Sequence, residues 1–357
     1  MPRILAPFLS RRRAELRHGL RIAAAGMTSF ALAHALGLPQ GYWAVFTSVL
    51  VVQGSIGGSW KAAVDRLVGT LLGAVYGAVI ATLVPHDNVL MLGAALAISL
   101  TPLALVAALK PSYRVAPITA VILLLGSASV TEGPFLAGLM RTVEVTLGAF
   151  VGMAVSLFLL PARAHALMGD AANRVLQRLA DLFADLVNGL ITPPDPVAIL
   201  ADNDAVRAAL TTLETVVGEA AHERKNYLAE DADPEPVART LRRVRHDLVT
   251  IGRVVAEPLP EEIRSRLQPC LTQLSAAGTV FLRAMGLAFA ARKAPPPLDA
   301  FEAALTRVLL ELDGVSGNAT LVALDFAFEQ LQRNLQDLAR RAQEFARIPA
   351  LAPQPET

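Results

Sequence analysis

Six long apolar stretches fill the first 160 positions of this 357-residue chain, at 22–38, 42–58, 67–84, 89–109, 115–130 and 135–160. Such lengths match the hydrocarbon core of a bilayer. In lipid every backbone N–H and C=O must be satisfied within the protein, and only helices and closed barrels achieve this. Long continuous runs without strand alternation select helices. The expectation is an all-α fold opening with a six-helix transmembrane domain over residues 1–163. Several runs fall short of the roughly 20 residues that a spanning helix takes, which predicts broken or tilted segments among them.

The connectors sort by charge. Residues 38–41, 85–88 and 131–134 contain no lysine or arginine, whereas Arg11, Arg12, Arg13, Arg17, Arg21, Lys61, Arg66, Lys110, Arg114 and Arg163 fall on the other side. The positive-inside rule then places both termini in the cytoplasm. Residues 1–163 carry a net charge of +7 and residues 164–357 a net charge of −6, so the overall +1 averages two unlike halves.

From residue 164 the pattern becomes amphipathic and helical, with proline-rich breaks near 192–196, 231–236, 257–260 and 295–297. A cytoplasmic helical bundle over 164–348 is expected, with a disordered tail over 349–357. The spacing of Leu176, Leu179, Leu182, Phe183 and Leu186 predicts one buried stripe, and that of Leu321, Leu324, Phe328 and Leu331 another. Arg239, Arg242, Arg243 and His246 share a helix face, which in an acidic domain reads as solvated and ion-paired rather than as a nucleic-acid surface. Cys270 is the only cysteine. No phosphate-cradling glycine loop, metal-ligand cluster or nucleophile triad is legible, and His222-Glu223 lacks the second histidine of a zinc-protease helix. Enzymatic function, a metal and a cofactor are therefore not expected.

One pattern occurs twice. Arg66, Gly69, Gly73 and Gly77 belong to the first copy; Arg141, Glu144, Gly148 and Gly152 belong to the second. With three spans per unit the copies run oppositely through the bilayer, giving two inverted three-span repeats, an arrangement that places a shared site near mid-membrane. Arg66 should lie toward the cytoplasmic face and Arg141 toward the outer one. Gly69, Gly73, Gly77, Gly148 and Gly152 have the small-residue spacing that lets helices approach closely. Arg141 and Glu144, an i, i+3 pair, are open to two readings: an internal ion pair, or an arginine presenting its fork to an anionic ligand with Glu144 as displaceable counter-charge. Arg66 either snorkels to the interface or joins the same anion path. Lys61 and Asp65, at i and i+4, form a pair. His34, deep in the first run, is a helix contact or a proton relay. Phe30, Trp43, Phe46, Tyr76, Tyr113 and Phe150 are the aromatic groups available to a ring-bearing ligand, while Tyr42 and Trp43 also suit an interface belt.

The segment from Asp65 to Gly73, its second copy and the helical second half resemble the fusaric acid resistance (FUSC) family of the aromatic acid exporter superfamily, which distantly includes plant aluminium-activated malate transporters. The resemblance implies a bacterial inner-membrane, secondary-active exporter of organic, often aromatic, carboxylic acids. Arg66, Arg141, Arg114 and Lys110 would then bind or gather the anion, and Glu144, Asp65 or His34 would exchange protons. Many members are twice as long, so a homodimer is expected here; membrane lipids and, in some members, a periplasmic adaptor protein are further partners. A passive organic-anion channel gated by the bundle and a membrane-anchored scaffold are the alternative readings.

Overall fold

A computed structural model describes residues 13–85, 88–126, 133–161, 164–193, 195–226, 233–255, 261–313 and 319–346. Among them are twelve α-helices, one 3-10 turn and no strand. The expected tail at 349–357 lies outside the described residues, as do 127–130 of the fifth apolar run. The chain divides into two compact units, Met1–Arg163 and Ala164–Thr357.

The first unit contains α1 (Arg13–Ala35), α2 (Tyr42–Val51), α3 (Ile56–Leu83), α4 (Val89–Leu109), a 3-10 turn (Pro111–Tyr113), α5 (Val115–Gly126) and α6 (Pro134–Phe158). The order long, short, long occurs twice. α1 ends where Gly37 takes a φ of +63°: the Gly37 N–H donates to His34 O and the Leu38 N–H to Ala33 O, each at 3.1 Å. This left-handed glycine closure satisfies the last carbonyls of the helix.

Two of the six expected spans are corrected, the second and the third. The run at 42–58 is not one helix: α2 stops at Val51 after 10 residues, about 15 Å of rise and half a hydrocarbon core. The run at 115–130 agrees with α5 as far as Gly126, the last residue described there. α3 in turn starts at Ile56, well before the expected Leu67. Ser55 causes this, since its extended backbone and its hydroxyl, accepting from the Gly58 N–H at 2.9 Å, form an N-cap. Lys61 and Asp65 pair at 3.3 Å along α3, so the charges that seemed to delimit a loop lie within the helix. By length and composition, α3, α4, α6 and α10 of the second unit are each sufficient to cross a membrane, while α2 and α5 are apolar but shorter.

Glycines set how these helices meet. A Cβ on Gly73 of α3 would strike the Ala116 carbonyl and approach Thr119 Cβ of α5 to 2.8 Å, and one on Gly77 would lie 2.8 Å from Ala120 Cα. A Cβ on Gly148 of α6 would strike the Ala44 carbonyl and come within 2.8 Å of Thr47 Cβ of α2, and one on Gly152 would lie 2.9 Å from Ser48 O. Each long, glycine-faced helix thus docks onto the backbone of a short one. In both pairs the contacts advance together along the two helices, so α3 and α5 run in the same direction, as do α6 and α2.

The second unit comprises α7 (Ala164–Gly189), α8 (Pro196–Lys225), α9 (Glu235–Val255), α10 (Glu261–Ala291), α11 (Asp299–Asp313) and α12 (Ala319–Ala346). α7 packs against α8, α9 and α10, and α12 against α9. The stripes at Leu176–Leu186 and Leu321–Leu331 are buried in a single apolar core. The apolarity of α10 is spent in the same core, through Leu271, Leu274, Leu282, Met285 and Phe289. Gly278 of α10 admits the Phe183 ring, whose Cζ would lie 2.7 Å from an added Cβ. Arg242 pairs with Glu214 and Glu235 at 2.9 and 2.8 Å, and Arg243 with Asp337.

This packing makes the small-residue contacts testable. Gly73→Ala or Gly148→Ala forces helix backbones apart and should destabilise the detergent-solubilised protein by about 1–3 kcal/mol. Gly93→Ala, with nothing within 4 Å of the added carbon, should not. Asp337 ties α12 to α9: desolvation pushes its carboxyl up, but the Thr240 hydroxyl at 2.8 Å together with Arg340, Arg243 and Arg341 outweighs that and holds it below the usual value. A depressed carboxylate contributes stability above its unfolded pKa, lost as pH falls through its folded one. Asp337→Asn should therefore lower the thermal midpoint at pH 7 and flatten its decline below about pH 4.

Candidate functional site

The first turn of α2 carries Tyr42, Trp43 and Phe46, with ring centroids 5.1 to 6.5 Å apart. Above them, α6 brings Arg141 and Glu144, only 4% and 1% exposed despite their charge. The docking of Gly148 on Ala44 sets this height, because Arg141 lies two turns before Gly148 and its side chain reaches the start of α2.

The Arg141 guanidinium lies on Trp43, its Cζ 3.2 Å from the ring centroid. A cation over an indole face is held by the ring quadrupole, by about 2 kcal/mol where water is excluded. Glu144 turns elsewhere. Its Oε1 accepts the backbone N–H of Gln40 at 2.8 Å, and Gln40 Oε1 accepts the Trp43 indole N–H at 3.0 Å. One network therefore runs from Glu144 through Gln40 to the ring beneath Arg141. The internal Arg141–Glu144 ion pair does not form, since among the described residues no such pair joins them. Arg141 Nε and Nη1 and Glu144 Oε2 are all buried without a hydrogen-bond partner.

Arg66 belongs to the same neighbourhood. Well inside α3, it is half-buried and its Nε donates to Thr47 Oγ1 of α2 at 3.4 Å. The arginines of the two copies flank one short helix, one turn apart. A third span begun at Leu67 would put Arg66 at its end; a helix begun at Ile56 carries it inside.

The remaining candidates have other surroundings. Lys110 and Arg114 are exposed on either side of the 3-10 turn. Asp65 is engaged by Lys61. His34 is exposed, stacks on Phe30 at 6.2 Å, and lines a cleft of about 430 Å³ with Phe30, Tyr42 and Phe46.

Sequence reading missed Gln40, Thr47 and Arg21. A signal existed for Thr47: Pro39, Ala44 and Thr47 match Pro111, Ala116 and Thr119 at one constant offset, extending the repeat to the short helices. Arg21 reads as part of the basic N-terminal flank, yet it is 2% exposed and shares a four-residue spacing with the buried Ala25, Ser29 and Ala33. Its Nη2 donates to Gln53 O and Gly54 O at 3.0 and 3.3 Å, just past the end of α2.

A family model described as the fusaric acid resistance protein family matches residues 15–355. An uncharacterized protein of Synechocystis sp. is 29% identical over 178 residues, which make up 49% of this chain and 23% of that protein. The matched part is thus under a quarter of a relative roughly twice as long as this chain.

The network predicts graded responses in stability. Glu144→Ala strands the Gln40 N–H and should cost about 1–3 kcal/mol, whereas Glu144→Gln keeps an acceptor and should cost less. Trp43→Ala should destabilise by a further increment that Trp43→Phe largely restores, each read from thermal unfolding in detergent.

Proposed function

The chain belongs to the fusaric acid resistance protein family and is a multi-pass membrane protein, and from that premise we propose that it exports organic, chiefly aromatic, carboxylates across the inner membrane by secondary-active transport. The observation that carries this reading is Arg141, buried against Trp43 with two nitrogens unpartnered and no carboxylate paired to it. A guanidinium in that setting has unused donors in the geometry a carboxylate accepts. The neighbouring Tyr42, Trp43 and Phe46 offer faces to an aromatic ring, and the cleft lined by His34 lies beside them. Arg66 lies one turn further along α2 as the next positive charge. Lys110 and Arg114, exposed together at one connector, raise the local anion concentration at the cytoplasmic mouth.

Six alternating segments in two inverted repeats are supported by the helix directions. Such a chain requires its second and sixth segments to run the same way, and likewise its third and fifth; α2 with α6 and α3 with α5 do so. Short α2 then covers about half the membrane. Charge in the connectors puts both termini in the cytoplasm. Glu144, with one oxygen unpartnered, is the group whose protonation is coupled to anion release; His34 and Asp65 are its lesser counterparts. The protein works as a homodimer in this reading. The second unit of each chain forms a cytoplasmic bundle, with a periplasmic adaptor protein as a further partner.

The reading is tested with purified protein in proteoliposomes and radiolabelled benzoate driven by an imposed proton gradient. Arg141→Gln and Arg141→Lys should each lower the initial rate at least about tenfold, equivalent to about 1.4 kcal/mol, because an ammonium neither forks nor lies flat on Trp43. Arg114→Ala should raise the half-saturating concentration only at low salt. Wild-type rates in correctly inserted Arg141→Lys would sink the proposal.

A further inference from the structure

One backbone donor in the connector between α1 and α2 does not return to α1. The Gly37 and Leu38 N–H groups go back to His34 O and Ala33 O, and Pro39 has no N–H to place. The Gln40 N–H comes next, and it goes to Glu144 Oε1 of α6 at 2.8 Å. Toward α2 the same residue is bonded twice. Gln40 O accepts the Trp43 backbone N–H at 2.9 Å, and Gln40 Oε1 accepts the indole N–H at 3.0 Å. The connector has little room to give, since a Cβ on the neighbouring Gly41 would lie 2.8 Å from Ala33 Cβ. A displacement of Gln40 is therefore passed to the ring on which the Arg141 guanidinium lies.

The pattern that occurs twice along the first unit isolates this link. At the offsets that pair Pro39 with Pro111 and Arg66 with Arg141, Gln40 corresponds to Ser112, Trp43 to Val115 and Glu144 to Gly69. Gly69 lies against Val115, so the correspondence holds in space as well. The arginine stands in both sets, whereas the carboxylate, the amide and the indole occur in one, and together. Resting on the transport reading above, we infer that Gln40 is a positioning residue, coupling the charge on Glu144 to the grip of Arg141 on the transported carboxylate. While Glu144 is ionised, its bond from the Gln40 N–H is charge-assisted and the ring is held beneath the guanidinium. A proton on Glu144 cuts that bond to about half its strength. Gln40 then slackens, and Arg141 loses the platform that presents its donors. Direct charge acts the other way, because neutralising a nearby carboxylate favours an anion on Arg141. The sign of the pH dependence separates the two effects. Other charged or titratable groups around the pair are Arg66 of α3 and Tyr42 of α2, with His34 of α1 in the cleft beside Tyr42.

The full chain is placed in nanodiscs of neutral phosphatidylcholine, and equilibrium binding of radiolabelled benzoate is measured at about pH 8 and about pH 5.5, both above the range in which an ordinary carboxylate titrates. In the unaltered protein the affinity should fall at least about fivefold at the lower pH. Gln40→Leu removes the side-chain acceptor and keeps the backbone N–H; its pH dependence should invert, with tighter binding at the lower pH. Trp43→Phe keeps a ring under Arg141 but deletes the indole N–H. It breaks the same bond from the other side, should invert likewise, and serves if Gln40→Leu fails to assemble. Glu144→Gln should bind with one affinity at both pH values. An unaltered protein whose affinity rises or stays level on acidification overturns the inference, as does Gln40→Leu or Trp43→Phe retaining the original direction. A slope that persists in Glu144→Gln gives the titration to another group, such as His34, and overturns it too. Arg141→Gln separates this failure from that of the transport reading: undiminished binding there overturns both, while lost binding beside an uninverted Gln40→Leu overturns the coupling through Gln40 alone.

Discussion

Everything in the first unit depends on how closely α6 lies on α2. Without a Cβ at Gly148 or Gly152, the α6 backbone rests on the carbonyls of Ala44 and Ser48. Between apolar helices in lipid there is little hydrophobic force, so contact of this kind supplies much of the adhesion. It also fixes register. Gly148 against Ala44 leaves Arg141 level with the entry to α2, where the Trp43 ring and the Gln40 N–H can receive its guanidinium and the Glu144 carboxylate. A shift by one turn would carry both charges past these partners.

Buried charge at this depth is costly, and the way it is tolerated differs along α2. At Arg141 an aromatic face stands in for a counter-ion; at Arg66 a threonine hydroxyl does; at Arg21 two carbonyls do. None of these removes the charge, as a paired carboxylate would. Under the proposed export reading, closing all three as ion pairs would leave no site with a preference for an anion. Exposed pairs such as Lys61–Asp65 already show that the chain forms such pairs where they serve only the fold.

The all-α class and the buried stripes of the second unit are legible in the sequence, because each rests on a periodicity spread over many residues. The break in the second run is not. Residues 42–58 are apolar throughout, and hydropathy has no means of distinguishing a spanning helix from a short helix, a capped turn and the start of another. Ser55 is the available sign, a single N-cap residue within an otherwise apolar run. Arg66 as the opener of the third span follows from the same blindness, since the apolar run starts only after its charge while the helix starts at Ile56. An ion pair between Arg141 and Glu144 looks natural from their spacing, but Gln40, distant in sequence, competes for the carboxylate and Trp43 for the guanidinium.

The two copies of the repeat differ where the chemistry lies. Gly69 of α3 presses against Val115 of α5, to which an added Cβ would come within 3.0 Å. The equivalent position on α6 is Glu144, whose side chain occupies the space that a glycine would have closed. The second copy therefore keeps the lower two contacts of the first, at Gly148 and Gly152, and gives up the third. At that level Glu144 meets the Gln40 N–H, Gln40 meets the Trp43 indole, and Arg141 lies on its ring. One difference within a packing motif used twice thus supplies the carboxylate that orders the network, which is why these contacts form beside one short helix and not beside the other.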